Sequence, residues 1–543
     1  MSVFRKQRSL LKVTGSQCPV KSSSEAVSKS NPATDKRTDN LSGEKCPLFM
    51  FLSRKSPDET KPFSDIPGPT GLPLVGTLFD YFKKDWFGFE KMFKAQEKRA
   101  QMYGPIFREK IATNENVIIT DPWEYQKVIR VDGKRPQRIE LLPAAHYRKK
   151  KGISLGLVNS QGEEWHQMRT IMSKKILPPR EVLAYCQDMS MVAQDFAEHL
   201  NRVKDKETGE VENLEHEIFK WALESIGTVL FERRIGCLST SPPKDALDFL
   251  KNLQGAFKTM QPLLFNLPIY KVYPTKLWRQ FEHFSDKVLE LGQQFVNMKI
   301  KDMKDHAGDE TDRQETPHQS ALLTYLLSQA SLTPAEANAH VIDLLNAAVE
   351  TVSNSTIFAL YCLACNPLVQ EKLYQELSDV LPGSEEIGAE TLQQLPYLKA
   401  CVKETFRLFP ITFATSRFLP KDVEVAGYLI PKGAHVQASL YPMGRDAKIF
   451  KDPEEYRPER WLRAVPRDPV VMAIPSLQFG HGSRMCIGRR LAEQEIYIVL
   501  TKIVKTFKLE YHHEPVEPVL NTLMTPDRPV KITFVSRADS LTI

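Results

Sequence analysis

The chain has 543 residues, 42% hydrophobic and 26% charged, and a formal net charge of +6 at pH 7. This composition is ordinary for a globular protein, and eight scattered cysteines exclude a disulfide scaffold. The mild basic excess suits an acidic partner or an anionic membrane surface and argues against nucleic acid as the partner. The sequence holds no run of 18 or more apolar residues, so no transmembrane helix is predicted.

The N-terminal segment is basic and rich in serine. Residues 1–24 contain five lysines and arginines and no acidic residue. That composition is typical of a mitochondrial transit peptide, so residues 1–55 are predicted to be a transit peptide and disordered leader. The alternative is a basic tail with no targeting role. The folded part is predicted to be one domain, residues 56–543, which becomes ordered near the stiff Pro/Gly segment 65–74.

Helical periodicity dominates the rest of the chain. It predicts helices at residues 86–103, 180–201, 214–231 and 278–304. Another helix should begin after Thr333, since Pro334 suits its first turn and Glu336 completes a capping box. That helix runs to about residue 365, which makes it roughly 45 Å long. A helix so long and apolar is expected to cross the centre of the protein.

Strand character is confined to short stretches. It predicts strands at residues 106–110, 116–120, 423–429, 435–439 and 530–535. The predicted fold is therefore mainly α with a small β-sheet region (α+β). Cys362 and Cys365 form a C-x-x-C inside a helical run, which indicates two core thiols rather than a zinc or redox site.

Residues 479–488, Phe-Gly-His-Gly-Ser-Arg-Met-Cys-Ile-Gly, form the most specific motif. They match the pattern Phe-x-x-Gly-x-Arg-x-Cys-x-Gly at every fixed position, which chance produces in about one chain in ten thousand. Gly482 would allow a tight turn. The unpaired N–H groups and the positive dipole end of the following helix would stabilise a thiolate at Cys486. Gly488 would let a flat cofactor approach the backbone, and Arg484 could meet a carboxylate. The alternative is a buried loop cysteine without a ligand role.

The loop resembles the haem-ligand signature of the cytochrome P-450 superfamily. The resemblance implies that Cys486 is the axial thiolate ligand of the iron of haem b. It also implies that Phe479 shields the sulfur and that Arg484 binds a haem propionate. The fold it implies is a single large domain with one long central helix over the haem.

The predicted long helix carries a second family-like segment, Ala347-Ala-Val-Glu-Thr-Val352. It is similar to the oxygen-activation segment, in which a small residue is followed by Gly, any residue, an acid and Thr. The resemblance implies that Glu350 and Thr351 relay protons during oxygen activation. Ala348 stands where the family has Gly, so the sequence does not determine whether this helix has the family's kink or groove. The alternative for Thr351 is a hydroxyl bonded back to a helix carbonyl.

Glu404 and Arg407 form an E-x-x-R pair at helical spacing. Downstream, residues 456–461 resemble the family's Pro-x-Arg segment. The resemblance makes Glu404, Arg407 and Arg460 a buried charge triad that supports the cysteine loop. The alternative is an exposed i,i+3 ion pair.

Three further residues resemble haem contacts of the family. Trp165 and Arg169 fit its W-x-x-x-R, and Arg417 falls where the family has another propionate arginine. The alternative for the two arginines is an ordinary exposed position.

A basic face is predicted on the thiolate side of the haem. Lys399 and Lys403 lie four residues apart on one helix, and Arg489 and Arg490 follow the cysteine loop. This combination resembles the mitochondrial P-450 class, which takes NADPH-derived electrons from a [2Fe–2S] ferredoxin. It implies a peripheral protein on the matrix side of the inner membrane. The alternative is a solvated basic face.

The resulting hypothesis is a monooxygenase that uses O₂ on a lipophilic, preferably sterol- or steroid-like, substrate. The resemblance places the pocket near residues 141–158, 344–348, 411–415 and 523–524, with 257–270 as a cap that touches the membrane. The alternatives are a mitochondrial xenobiotic-oxidising P-450, isomerase or peroxide-driven chemistry on the same fold, and a non-catalytic haem-binding protein.

Overall fold

Helices make up most of the described chain. The computed structural model describes residues 60–84, 86–112, 114–306, 322–383, 387–462 and 468–537, so the predicted transit peptide lies outside it. The helices are α1 Met92–Tyr103, α2 Pro122–Val131, α3 Leu142–Lys151, α4 Gly156–Asn159, α5 Gly162–Ile176, α6 Pro179–Ala184, α7 Cys186–Val203, α8 Leu214–Phe231, α9 Lys244–Phe265, α10 Lys276–His306, α11 Leu322–Leu327, α12 Pro334–Cys365, α13 Pro367–Val380, α14 Ala389–Gln393, α15 Pro396–Leu408, α16 Leu440–Arg445, α17 Pro469–Ala473 and α18 Arg489–Thr506.

The strands are short and form one sheet of four strands and three pairs. They are β1 Ile106–Ile111, β2 Asn114–Ile119, β3 Ala414–Phe418, β4 Val423–Val425, β5 Tyr428–Ile430, β6 His435–Ser439, β7 Phe507–Glu510, β8 Pro518–Asn521, β9 Leu523–Pro526 and β10 Thr533–Ser536. The large sheet has the order β1-β2-β6-β3, in which β2 and β6 are parallel and the other neighbours antiparallel. The prediction of a mainly α protein with a small β region is confirmed.

Most predicted elements occur, with shifted ends. Helix α8 has the predicted bounds, whereas the helix predicted at 180–201 is broken at Tyr185 into α6 and α7. The helix predicted from residue 86 begins only at Met92, because a short 3₁₀ turn, Phe89–Lys91, precedes it.

The prediction of one strand at 423–429 was wrong. The segment is the hairpin β4–β5, which turns at Ala426 and Gly427 with φ angles of 50° and 79°. The sequence reads as a strand because both arms are apolar, and the left-handed turn between them was overlooked.

Helix α12 crosses the core. Its N-terminus has the predicted capping box, since Thr333 and Glu336 exchange side-chain and backbone hydrogen bonds. It packs against α8, α10 and α18. Among the described residues it is the one helix long and apolar enough to span a membrane, but 83% of its apolar window is buried inside the protein, as expected of a core helix.

Candidate active site

The loop that carries Cys486 is held in a tight, closed shape. Gly480 and Gly482 have φ angles of 73° and 59°, a left-handed conformation that favours glycine. The backbone N–H of Cys486 donates to the carbonyl oxygen of Phe479 at 2.6 Å, which closes the loop. Gly488 then caps α18, so the cysteine lies beside a helix N-terminus. This arrangement presents the sulfur at a fixed point.

The side chain of Cys486 is accessible, although protein atoms surround it closely. Burial raises the pKa of its thiol, while the N–H of Gly488 and the nearby Arg169 and Arg138 lower it. The backbone N–H and the positive charges are the groups that stabilise a thiolate over a thiol.

Arg484 is buried and bonded on two sides of its guanidinium. Its Nε donates to the carbonyl oxygen of Pro136 at 3.0 Å, and Nη2 donates to Ser160 and Gln161 at 2.7 Å. Its Cζ lies 4.2 Å from the centroid of the Trp165 ring. Its Nη1 is buried and has no hydrogen-bond partner in the part of the chain that the structure describes. A buried, unsatisfied charged donor is costly, so Nη1 is well placed for an acceptor that is not part of the protein.

Arg417 already has a carboxylate partner. Its Nε donates to Asp132 at 2.9 Å, and its Nη2 donates to the carbonyl oxygen of His481 at 2.7 Å. The ring of His481 is buried, and burial, followed by Arg417, lowers its pKa to about 3, so it is neutral. Arg417 therefore stabilises the cysteine loop through its hydrogen bond to His481, and it also lies near the other guanidiniums.

Sequence reasoning missed Arg138, Asp132 and His481. Burial and then Arg417 lower the pKa of Arg138 to about 10, while Cys486 raises it. Its Nη2 donates to the carbonyl oxygen of Val158 at 3.0 Å. His481 lies inside the motif at a position that the pattern leaves free. Arg138 and Asp132 carry no local signal, because only the fold brings them beside a loop some 350 residues later.

The charges of this cluster fit a dianionic haem b. The guanidiniums of Arg138, Arg417 and Arg169 act on that of Arg484, and so does the carboxylate of Asp132. Cys486 acts on Arg138 and Arg169, so the positive charge of this cluster exceeds its negative charge and suits the two propionates. Burial, followed by the other three arginines, lowers the pKa of Arg484 to about 9, as expected where cations lack counter-charges.

The backbone geometry at Gly488 also fits a flat group. A Cβ added there would meet nothing within 4 Å, so the side of α18 next to Cys486 is open. Together with the unpartnered Nη1 of Arg484, this open space means that the residues present suit a haem bound through Cys486.

Glu404, Arg407 and Arg460 meet in one buried network. Arg407 donates to both oxygens of Glu404 at 2.8 and 2.9 Å, and Arg460 donates to the same carboxylate at 3.1 Å. Trp461 and the backbone N–H of Arg457 complete the donors to Glu404 at 2.8 and 2.9 Å. The predicted triad is thus buried, and its Glu404 carboxylate accepts five hydrogen bonds. The alternative of an exposed ion pair does not describe this site.

Glu350 and Thr351 lie on different faces of α12. Glu350 is buried, and its Oε2 has no hydrogen-bond partner among the described residues. Burial raises the pKa of its carboxyl group to about 8. Thr351 is half-buried, and its hydroxyl donates to the carbonyl oxygen of Ala347 at 2.8 Å. The hydroxyl therefore makes the back-bond considered as its alternative, and it still has lone pairs for a further donor.

The whole folded chain matches one protein family. The family model described as cytochrome P-450 matches residues 66–534. The chain belongs to the cytochrome P-450 family. It is therefore an enzyme of the monooxygenase type, and haem bound through a cysteine thiolate is the family's cofactor.

Curated relatives of this cytochrome P-450 align along nearly its full length. Cytochrome P-450 10 of Lymnaea stagnalis is 48% identical over 482 residues, which cover 88% of this chain and 87% of the relative. The mitochondrial 1,25-dihydroxyvitamin D(3) 24-hydroxylase of Mus musculus is 32% identical, with 91% and 92% covered. The mitochondrial cholesterol side-chain cleavage enzyme of Bos taurus is 29% identical, with 89% and 91% covered. Mitochondrial members are thus among its relatives.

The predicted basic face of the P-450 is divided between two elements. Lys399 and Lys403 are half-buried residues of α15, and α15 reaches the cysteine loop where Phe406 meets Phe479 edge-on at 5.5 Å. Arg489 and Arg490 begin α18, and both guanidiniums make bonds within the protein. The two elements meet the cysteine loop at Phe406 and at Gly488, and the two arginines are engaged within the protein.

Proposed function

We propose that this P-450 is a mitochondrial monooxygenase that hydroxylates a sterol- or steroid-like substrate with O₂. Electrons would come from NADPH through a ferredoxin reductase and a [2Fe–2S] ferredoxin. The observation that carries the proposal is the alignment, over 91% and 89% of the chain, with mitochondrial enzymes named for a hydroxylated secosteroid and for cholesterol. The transit-peptide-like composition of residues 1–55 agrees with it.

Haem b, when bound to Cys486, supplies the iron that activates oxygen. Arg138, Arg169 and Arg484 hold its propionates in this proposal, and Trp165 and Gln161 hold the guanidinium of Arg484 in place. Phe479 covers the loop next to the sulfur, and the buried carboxylate of Glu404 keeps the chain behind it rigid.

Glu350 holds one of the two protons that the reaction consumes together with two electrons. With a pKa of about 8 it is mostly protonated at neutral pH, unlike an ordinary carboxyl group. A cleft of about 350 Å³ reaches Glu350 and Asn354 and is lined by the charged side chains of Glu215, Lys258, Asp527 and Arg528. Water in this cleft can reload Glu350. Thr351, the next residue of α12, has lone pairs on its hydroxyl with which it takes part in the same relay.

The donor binds over α15 in this proposal. Its lysines form a positive surface, and the Phe406–Phe479 contact links that helix to the cysteine loop. An acidic ferredoxin would be steered there by charge.

The segment that follows α9 contacts the membrane. Ile269, Val272 and Tyr273 are 57%, 92% and 63% exposed, which is unusual for apolar side chains in water. Residues 249–281 contain no acidic residue, so the rim of this surface suits the matrix leaflet of the inner membrane.

The first experiment needs no known substrate. Protein from residue 56 onward is reduced under CO by a mitochondrial ferredoxin system and, separately, by a microsomal diflavin reductase. A red-shifted thiolate–CO band that grows only with ferredoxin supports the proposal. The same band with only the diflavin reductase overturns the donor and compartment, and no such band even after chemical reduction overturns the Cys486 assignment.

NADPH-dependent oxygen uptake with sterols, steroids and secosteroids then tests the substrate class. Uptake stimulated by one of these supports it, and hydroxylated product confirms the reaction. Stimulation only by unrelated xenobiotics would overturn the substrate proposal while leaving the monooxygenase assignment intact.

A further inference from the structure

Arg489, the first residue of α18, extends its guanidinium across the loop that carries Cys486. Its Nη2 lies 3.0 Å from Ser476 Oγ, just before the loop, and its Nη1 lies 4.0 Å from Met485 Sδ, just before the cysteine. Its Cζ lies 5.4 Å from the centroid of the Phe479 ring. One side chain thus contacts both ends of the loop.

A fourth contact fixes the direction of this guanidinium. Glu493, one turn further along α18, accepts from Nε of Arg489 at 3.1 Å. The two side chains are only 29% and 23% exposed, so water screens them less than a fully exposed pair. Glu493 therefore orients the planar fork toward Ser476 and Phe479 instead of toward solvent.

We propose that Arg489 is a positioning residue for the Cys486 loop and not a contact residue for the electron donor. The inference rests on the proposed role of Cys486 as haem ligand. A planar guanidinium can stack on Phe479 while its separate N–H groups reach Ser476 and Glu493. By contrast, Arg490 is exposed and donates to the carbonyl oxygen of Leu177, which lies outside the loop.

The substitution Arg489→Lys separates the two roles. Lysine keeps the positive charge that an acidic donor would need, but it cannot stack and bond in three directions at once. We expect the CO complex of the variant to lose its thiolate band and form the thiol-ligated species at least about fivefold faster than that of the wild type. The ferredoxin KM should change by less than about twofold. Arg490→Lys, the same change one residue later, should keep the wild-type band lifetime.

An unchanged band lifetime in Arg489→Lys would overturn the inference. So would a normal band together with a large rise in ferredoxin KM, because that pattern indicates docking. If the wild-type protein gives no thiolate–CO band at all, the role of Cys486 itself fails, which distinguishes that case from failure of Arg489 alone.

A second set of variants leaves Arg489 in place. Ser476→Ala and Glu493→Gln each remove one of its partners at half-exposed sites, where loss of folding is not expected. Each should shorten the band lifetime by itself. Neither should shorten it further in the Arg489→Lys background, because the partners act through the guanidinium. Additive effects in the double variants would contradict the inference.

Discussion

Arg484 and Trp165 stack at 4.2 Å and join the cysteine loop to α5, 319 residues earlier in the chain. The guanidinium keeps Nη1 unpartnered while the rest of it is bonded to protein. The sequence predicted that Arg484 binds a haem propionate and that Trp165 is a haem contact. In the structure the ring packs against the guanidinium, whose Nη1 remains available to a ligand.

Loss of the Nη1 donor of Arg484 should weaken haem binding. We expect Arg484→Gln to lower haem content per protein several-fold, since an anion would lose a charge-assisted hydrogen bond worth about 1.5–3 kcal/mol. Haem content measured against total protein checks this. Arg233→Gln, which removes an exposed arginine paired with Asp302, is the control. Full haem loading of Arg484→Gln would contradict the propionate role.

Arg407→Ala should give little haem-loaded protein. It would leave the Glu404 carboxylate buried with fewer donors, and stranding a buried charge typically costs about 3–5 kcal/mol. Haem content and thermal unfolding measure the effect. Arg457→Ala serves as control, because that side chain pairs with Asp452 where both are 44–45% exposed. Normal haem content in Arg407→Ala would contradict the proposed role of the triad in supporting the cysteine loop.

Glu350→Gln should have opposite effects on stability and turnover. Burial raises the pKa of Glu350 from 4.5 to about 8, so folding takes up a proton between these values. Glu350 therefore makes the wild-type protein lose stability as pH rises from about 4.5 through about 8, by up to a few kcal/mol, and the glutamine variant lacks this contribution. Turnover should fall about 100-fold if Glu350 supplies protons.

Glu495→Gln is the matched control for that experiment. Glu495 is buried in α18, and burial also raises its pKa to about 8. Its substitution should remove the same kind of pH dependence from unfolding without the large loss of turnover. Equal losses of turnover in the two variants would show that the effect of Glu350 is structural.

Lys399→Glu with Lys403→Glu should raise the ferredoxin KM by at least about tenfold and leave the thiolate–CO band unchanged. Charge reversal on α15 repels an acidic donor, and added salt should reduce the difference. Lys206→Glu, on the exposed loop after α7, makes half of this change in net charge and is the control. A ferredoxin KM that is the same in the double variant and the control would move the docking surface away from α15.

Local patterns were enough to predict the cysteine loop and α12. The loop depends on glycines with left-handed φ next to a helix start, and α12 begins at a capping box, so neighbouring residues alone specify both. The same holds for Glu404 and Arg407, one turn apart on α15. The hairpin at 423–430 was misread because two apolar arms hide the turn between them.

Only the tertiary structure decided what surrounds these motifs. Asp132 and Arg138 carry no pattern of their own, and they lie beside Arg417 and Arg484 because the chain folds back on itself. Arg489 reads as a surface charge in the sequence, yet its guanidinium crosses the loop to Ser476 and Phe479. Turns and helix ends are determined by backbone chemistry within a few residues, whereas the balance of buried charges depends on side chains that meet across hundreds of residues.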